Sequence, residues 1–257
     1  MQALIHRVIH FIRHQIDAQS DIRMHSPYVF AFMQEVLQSD WEDESWKKIE
    51  KERKARYGSS RKIDSTDPGA GSRQNTTAGE VFRSSVSPER KCRFIAKTAR
   101  FLHAEYILEL GTSAGISTAY LASAKPKEIT TIEGRPEAYE EAIKTFENLG
   151  IDNIHAIQGM FDQVLQSPEL DKGFDLIYID GDHSLEGTMR YVNWAMEHIT
   201  SKGMIILDDI YWSEHMTEAW EQCSTDKRVS LSLDLYQLGV LSRNPDFLQA
   251  QHFKLRL

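Results

Sequence analysis

The sequence predicts an α/β protein with a doubly wound parallel sheet, a terminal antiparallel hairpin and an N-terminal helical extension. From Ser87 onward, short apolar runs alternate with segments in which apolar residues recur at helical spacing. This alternation is typical of parallel strands joined by right-handed helical crossovers. The last two β-rich runs have little chain between them, which favours antiparallel pairing. We therefore expect helices and a flexible lid or linker loop over residues 1–86, and one sheet domain over residues 87–257.

Composition and charge narrow the class of protein. The 257 residues are 41% hydrophobic and 26% charged, which is ordinary for a globular chain. The net charge of −8 disfavours a nucleic-acid partner, because such binding needs a basic face. The two cysteines, Cys92 and Cys223, are far apart and fit a reducing compartment. No run has the length of a membrane span and the first residues lack a signal-peptide cleavage site, so we expect a cytoplasmic protein without a membrane partner.

The N-terminal residues 1–19 are predicted to form a helix with one apolar face and one basic face. A membrane-surface helix would carry more basic residues, so a packing helix or a homodimer contact is favoured. The apolar face consists of Leu4, Ile5, Val8, Ile12 and Ile16.

Two more helices and a polar segment follow in the extension. Ser26 and Pro27 suit the N-cap and the first position of a second helix, and the charged residues 42–58 continue as a solvated helix. The polar residues 58–79 predict a long loop, which leaves a linker and a lid over an active site as alternatives.

The sheet domain is expected to begin with a helix that starts at Ser87 and Pro88. A second clear helix begins at Pro136 and ends at Gly150. The predicted strands are residues 106–110, 128–133, 153–158, 174–180 and 203–209, and the hairpin covers residues 228–244.

The first strand ends in the turn "ILELGTSAGIS", residues 107–117. Gly111 permits a sharp turn, and Gly115 permits the backbone to approach a ligand at the start of the next helix. The two glycines are separated by three residues, which differs from the G-x-G-x-x-G spacing of dinucleotide sites. Glu133 ends the second strand, where a carboxylate can accept the protons of both ribose hydroxyls.

The motifs "ELGTSAG" and "TIEG" resemble motifs I and II of the class I S-adenosylmethionine (SAM)-dependent methyltransferases. The resemblance covers residues 87–257 and implies a Rossmann-like methyltransferase sheet with SAM as the cofactor. It implies that Glu133 holds the ribose of SAM. The residues implied to line the methionine part are Glu109, Gly111, Ser113 and Gly115.

The segment "QGMFD", residues 158–162, follows the third strand, where this family binds adenine. The resemblance implies that Gly159 forms the turn and that Phe161 and Asp162 contact the adenine. Core packing is the equally weighted alternative for Phe161. Asp180, at the end of the fourth strand, is assigned to the cofactor site as well.

Three carboxylates are expected to meet at one edge of the sheet. Asp180 ends the fourth strand, and Asp208 and Asp209 end the fifth. Neighbouring parallel strands lie about 4.8 Å apart, so these side chains converge and raise one another's pKa unless a cation lies between them. Oxygen ligands favour Mg²⁺, with Ca²⁺ or Mn²⁺ as alternatives.

This arrangement resembles the metal-dependent O-methyltransferases. The catechol and caffeoyl-coenzyme A enzymes have an Asp-Asn pair after the fifth strand, and the Asp-Asp pair is closer to the macrocin-type and aminocoumarin-sugar enzymes. The resemblance implies Mg²⁺-assisted O-methylation of a small hydroxylated molecule, with Asp180 or His183 as the base. For Asp182, capping of the helix near Ser184 is favoured.

Three other functions stay open on the sequence. They are a metal-independent SAM methyltransferase with an oxygen or nitrogen acceptor, a hydroxylase like the cephalosporin hydroxylase of similar fold, and a non-catalytic binding module. The segments "HSPYVF" and "QHFKLRL" resemble a group of bacterial methyltransferase-like proteins, so the resemblance implies no particular acceptor.

Overall fold

The computed structural model describes residues 2–18, 25–57, 62–67, 71–77 and 86–257. The N-terminal extension forms three helices, as expected from the sequence. A π-helical turn, Met33–Leu37, continues the second of them, and the third is only partly solvated because Trp46, Ile49 and Arg53 are buried. The elements of the extension are α1 (Gln2–Asp17), α2 (Pro27–Phe32), α3 (Ser45–Tyr57), β1 (Lys62–Asp67) and β2 (Gly71–Thr77).

The sheet domain alternates strands and helices along the chain. A 3₁₀ turn at Pro168–Leu170 precedes one of the strands, and the last three strands follow one another without a helix between them. The helices are α4 (Glu89–Phe101), α5 (Ile116–Ala122), α6 (Pro136–Leu149), α7 (Phe161–Val164), α8 (Leu185–His198) and α9 (Glu214–Ser224). The strands are β3 (Tyr106–Leu110), β4 (Glu128–Glu133), β5 (Ile154–Gln158), β6 (Phe174–Ile179), β7 (Ile199–Asp208), β8 (Leu231–Asp234), β9 (Leu238–Ser242) and β10 (Gln251–Lys254).

The central sheet has eight strands in the order β10-β8-β9-β7-β6-β3-β4-β5. Strands β3 to β7 are mutually parallel, whereas β9 is antiparallel to both β7 and β8. The predicted doubly wound sheet and terminal hairpin are therefore confirmed. The strand order reverses between β3 and β6, and ligands of such sheets bind beyond the carboxyl ends of the strands at this point.

Strand β10 was not anticipated from the sequence. It pairs parallel to β8 at the edge of the sheet, and Gln251 lies opposite Leu231. Its four residues are half-exposed and mostly polar, because one side of an edge strand faces solvent. A run this short carries too little alternation to predict a strand.

The central strands are buried on both faces, which explains their continuous apolar character. Leu176 and Tyr178 of β6 belong to the core cluster beneath α4, together with Phe94. Ile177 and Ile179 belong to the cluster on the other face, beneath α8. Successive side chains of β6 thus point to opposite layers of helices.

The polar segment that the sequence predicts to be a loop contains two strands. β1 and β2 pair antiparallel, with Lys62 opposite Thr77 and Asp67 opposite Gly71. Thr is compatible with extended pairing, so the interpretation of this whole segment as a loop is wrong. Residues 58–61, 68–70 and 78–85 lie outside the described residues, and the lid or linker role stays a prediction.

The first helix is confirmed, but its polar side faces the protein and its apolar side faces outward, whereas an apolar face usually packs against the core. His14 is buried, its Nε2 atom lies 3.0 Å from the Asp234 carbonyl oxygen, and the Arg7 guanidinium stacks 4.5 Å above the Trp212 ring. The apolar side chains point outward instead, at 43 to 76% exposure. They are Leu4, Ile5, Val8, Ile9, Phe11, Ile12 and Ile16.

No helix within the described ranges is long and apolar enough to cross a membrane.

Candidate active site

The turn after β3 is held by two glycines in conformations that other residues rarely adopt. Gly111 has φ +104°, and a Cβ atom there would lie 2.0 Å from the carbonyl oxygen of Asp180. Gly115 has φ +77°, and its Cβ atom would lie 2.5 Å from the ring of Phe146. Gly111 thus allows the turn to approach the chain that follows β6. The space beside Gly115 is taken by Phe146, so its predicted place beside a ligand stays a prediction.

Glu109 lies beneath this turn and is completely buried. Its carboxylate accepts hydrogen bonds from the hydroxyls of Ser117 at 2.6 Å, Thr118 at 2.5 Å and Thr131 at 2.7 Å. Burial raises the pKa of Glu109 to about 7, and the hydroxyl donors oppose that rise. The carboxylate joins β3 to β4 and to the start of α5. Its predicted place in the methionine subsite stays a prediction.

Glu133 connects the turn after β3 with the end of β4. Its Oε2 atom accepts from the backbone N–H of Ser113 at 2.7 Å, and its Oε1 atom accepts from that of Arg135 at 2.9 Å. The backbone N–H of Gly159 donates to the Glu133 carbonyl oxygen at 3.0 Å, which brings the segment after β5 to the same place. The Oε1 atom also accepts from Nε of Arg135 at 3.4 Å, so the capacity that remains for a ribose hydroxyl lies at Oε2. These residues fit the predicted cofactor.

The two candidate adenine residues have partners within the protein. The Phe161 ring packs edge-on against Tyr191, with centroids 5.4 Å apart. The Asp162 carboxylate accepts two hydrogen bonds from the Arg190 guanidinium, at 2.8 and 3.1 Å. The ring contact supports the packing alternative for Phe161, and the adenine contacts of both residues stay predictions.

The structure brings the acidic residues at the ends of β6 and β7 together. Ile179 pairs with Leu207 in the sheet, so Asp180 and Asp208, the next residues, lie at the same level. The Tyr178 hydroxyl lies 3.0 Å from Oδ2 of Asp208 and 3.2 Å from Oδ2 of Asp180. A phenol carries a single proton, so it links the two carboxylates but donates fully to only one at a time.

A lysine lies at the Asp208–Asp209 pair. The Lys91 Nζ atom is 2.5 Å from Oδ1 of Asp208 and 2.7 Å from Oδ1 of Asp209. Lys91 is 5% exposed and Asp208 is 3% exposed. Burial raises the pKa of Asp208 and that of Asp180 above the usual range of a carboxyl group; neighbouring carboxylates add to both rises, and the Lys91 ammonium opposes them by favouring the ionised forms.

The donor set at this edge does not fit a divalent ion as it stands. In the part of the chain that the structure describes, no three Asp, Glu, His or Cys side chains form a group that could hold a metal. One oxygen of Asp208 and one of Asp209 already bind the Lys91 ammonium. The cation site predicted at Asp180, Asp208 and Asp209 therefore stays a prediction, and the contacts favour Lys91 as the resident cation.

His183 lies near Asp180 and is partly exposed to solvent. Its Nε2 atom is 4.0 Å from Oδ1 of Asp180, and its side chain is 33% exposed. The cap of α8 is Ser184, whose Oγ atom accepts from the Gly187 N–H at 3.1 Å. The interpretation of Asp182 as the cap is wrong, because its carboxylate accepts from the Tyr191 hydroxyl at 3.3 Å instead.

Sequence reasoning missed Lys91 and Tyr178, although both carry a signal. Lys91 stands four residues before Ile95 and eight before Ala99, on the apolar face of α4, where a charged residue is unexpected. Tyr178 precedes Asp180 by two residues in a strand, so both side chains point to the same face. A polar residue on a buried face requires a partner, and both residues find theirs in the acidic cluster.

Part of the chain is similar to known methyltransferases. Residues 108–210 match the family model of a methyltransferase domain. A catechol O-methyltransferase from Mycobacterium tuberculosis is 31% identical over 137 residues, which is 52% of this chain and 60% of that protein. A catechol O-methyltransferase from Niastella koreensis is 33% identical over 131 residues, 49% of this chain and 58% of that protein. The chain thus spans about 60% of the length of these curated relatives.

The fold has counterparts among solved structures. A methyltransferase from Podospora anserina, solved with S-adenosylhomocysteine (SAH) bound, superposes with a TM-score of 0.60 at 17% identity. The match covers 87% of this chain and 98% of that one. The Rossmann-like methyltransferase fold and the resemblance inferred from the motifs are confirmed. Lys91 precedes the region that matches the family model.

Proposed function

We propose that this protein is a SAM-dependent O-methyltransferase that acts on a small hydroxylated molecule. The observation that carries the proposal is Glu133, whose carboxylate binds the turn after β3 while it ends β4, at the switch point of the sheet. Both elements lie inside the region that matches a methyltransferase domain. SAM supplies an electrophilic methyl group on a sulfonium when it is bound.

The residues of this chain would position the reactants and take a proton. Glu133 would hold the ribose, and Gly111 keeps the turn close to Asp180. Asp180 is held by the hydroxyls of Ser87 and Tyr178, each 3.2 Å from its Oδ2 atom. With His183 nearby, Asp180 would accept the proton of the acceptor hydroxyl. Orientation of the acceptor against the cofactor would remove much of the entropic barrier.

The Mg²⁺ expected from the sequence has no role in this proposal, because Lys91 already pairs with Asp208 and Asp209. Transfer to an oxygen acceptor is favoured over a hydroxylase or a binding module, since the relatives reported above are O-methyltransferases. The proposal names the class of the acceptor, a small hydroxylated molecule.

Isothermal titration with SAM tests the cofactor site. We expect the native chain to bind SAM, and Glu133→Ala to weaken binding by about tenfold or more, since hydrogen bonds to a charged group contribute roughly 1.5–3 kcal/mol. Glu137→Ala is the matched control, because Glu137 is an exposed acid on the next helix and should bind as the native chain does. Absence of SAM binding by the native protein would refute the proposed function.

We further propose that a second copy of the chain covers the apolar face of α1. The side chains of that face are 43 to 76% exposed, while Arg7 and His14 turn toward the protein. A membrane-surface helix presents several basic residues beside its apolar face, whereas Arg13 is the one exposed arginine or lysine of α1, and a chain of net charge −8 is repelled by anionic lipids. In a two-fold dimer the same surface of both subunits is in contact, so the apolar face of α1 would pack against the same face of the second copy.

Light scattering after size-exclusion chromatography tests this contact. We expect a dimer for the native chain and a monomer for Ile12→Glu, because a charge buried in an apolar interface is strongly unfavourable. Leu248→Glu places the same charge at a site that is 97% exposed and far from α1 in sequence, so it should stay dimeric. A native chain that is monomeric at high concentration contradicts the contact.

A further inference from the structure

We infer that Lys91 is a built-in cation that replaces a divalent metal at the acidic cluster, so that the site works without a bound metal. The catalytic role given to Lys91 rests on the proposed function, whereas its place at the acidic cluster rests on contacts alone. The ammonium lies within hydrogen-bonding distance of both Asp208 and Asp209.

Burial makes this ion pair persistent. Lys91 and Asp208 are both almost fully buried, and removal of one partner from a buried pair leaves an uncompensated charge that is strongly destabilising. A Mg²⁺ ion would have to lose water, which it does reluctantly, and to displace a lysine that is already bound. The competition therefore favours the lysine.

The position of the ammonium is set by the packing of α4. Lys91 lies in the first turn of this helix, and Phe94, Ile95 and Ala99 on the following turns are buried in the core. The helix cannot retreat without exposing these side chains. The side chain of Lys91 is thus held over the ends of β6 and β7 by apolar contacts elsewhere on its own helix.

The Lys91 ammonium carries one positive charge, whereas a divalent ion carries two, and this difference affects which residue contacts the acceptor. One ammonium offsets one of the three carboxylate charges, where a divalent ion would offset two. Lys91 binds Asp208 and Asp209, while Asp180 is held by the hydroxyls of Ser87 and Tyr178. Lys91 acts as a positioning residue, because it fixes the pair beside Asp180, and Asp180 is left to meet the acceptor hydroxyl.

Titration of Mn²⁺ into the protein without SAM, followed by electron paramagnetic resonance, tests the inference. We expect no stoichiometric site in the native chain. Lys91→Ala removes the ammonium and opens its volume, so this variant should gain one Mn²⁺ site per chain. The double variant Lys91→Ala/Asp208→Asn should lose that gained site, because a carboxylate ligand is missing.

The outcomes separate this inference from the proposed function. A stoichiometric Mn²⁺ site in the native chain that disappears in Asp208→Asn would overturn the inference, while SAM binding by the same sample would leave methyl transfer intact. Should Lys91→Ala fail to fold, as judged by circular dichroism, the native titration alone decides. Lys91→Met keeps the apolar stem without the ammonium, so it should fold and also gain a Mn²⁺ site; a folded Lys91→Met without that site contradicts replacement of the metal by the lysine.

Discussion

Gly111→Ala should abolish SAM binding and methyl transfer. The added Cβ atom would lie 2.0 Å from the Asp180 carbonyl oxygen, which is backbone and cannot rotate away. The backbone at Gly111 also has φ +104°, which an alanine rarely adopts. The turn after β3 must therefore move away from β6, and it carries with it the Ser113 N–H that binds Glu133.

The size of this effect can be measured against a matched glycine. We expect Gly111→Ala to lose about 3 kcal/mol or more of unfolding free energy and any SAH binding detectable by titration. Gly150→Ala introduces the same methyl group at φ +67°, with nothing within 4 Å of the new atom. That control should cost about 1 kcal/mol and keep native affinity for SAH. Native affinity in Gly111→Ala would show that the turn does not form the cofactor site.

Asp180→Asn should lower kcat by about a hundredfold or more while it leaves SAH affinity within about threefold of native. An asparagine oxygen still accepts hydrogen bonds from the hydroxyls of Ser87 and Tyr178, so the local geometry is kept. It cannot take a proton from the acceptor. A fall in kcat without a loss of SAH binding distinguishes a proton acceptor from a residue that only holds the cofactor.

Two further variants complete the test of Asp180. Asp182→Asn changes a carboxylate two residues away that binds Tyr191, and it should keep native kcat. His183→Ala separates the two candidate bases, because His183 lies 4.0 Å from Asp180. Native kcat in Asp180→Asn together with a large loss in His183→Ala would transfer the role of base to His183.

The sheet and its glycine turn could be predicted because their signals are local. A strand buried on both faces is apolar at most consecutive positions, and β6 and the second half of β7 stand out in the sequence for this reason. Gly150 ends α6 with φ +67°, as a helix-terminating glycine should. The convergence of Asp180 with Asp208 followed from the same reasoning, since parallel strands end at one edge.

The contacts between distant segments could not be predicted. The apolar spacing of α1 identifies a helix but does not say which face meets the protein, and the structure buries the His14 side. That choice depends on Asp234, whose carbonyl oxygen lies within hydrogen-bonding distance of the His14 ring although the two residues are 220 positions apart in the chain. A hydrophobic pattern carries no information on polar partners of this kind.

The sequence by itself determined the fold class, the glycine turn after β3 and the place where three carboxylates meet, because these depend on residues that are neighbours in the chain or in adjacent strands. Only the tertiary structure decided what compensates those carboxylates. Lys91 and Asp208 are separated by 117 residues, and they meet because α4 packs its apolar side against β6. Charge compensation in a core depends on where elements dock, and docking is a property of the whole packed structure rather than of any single segment.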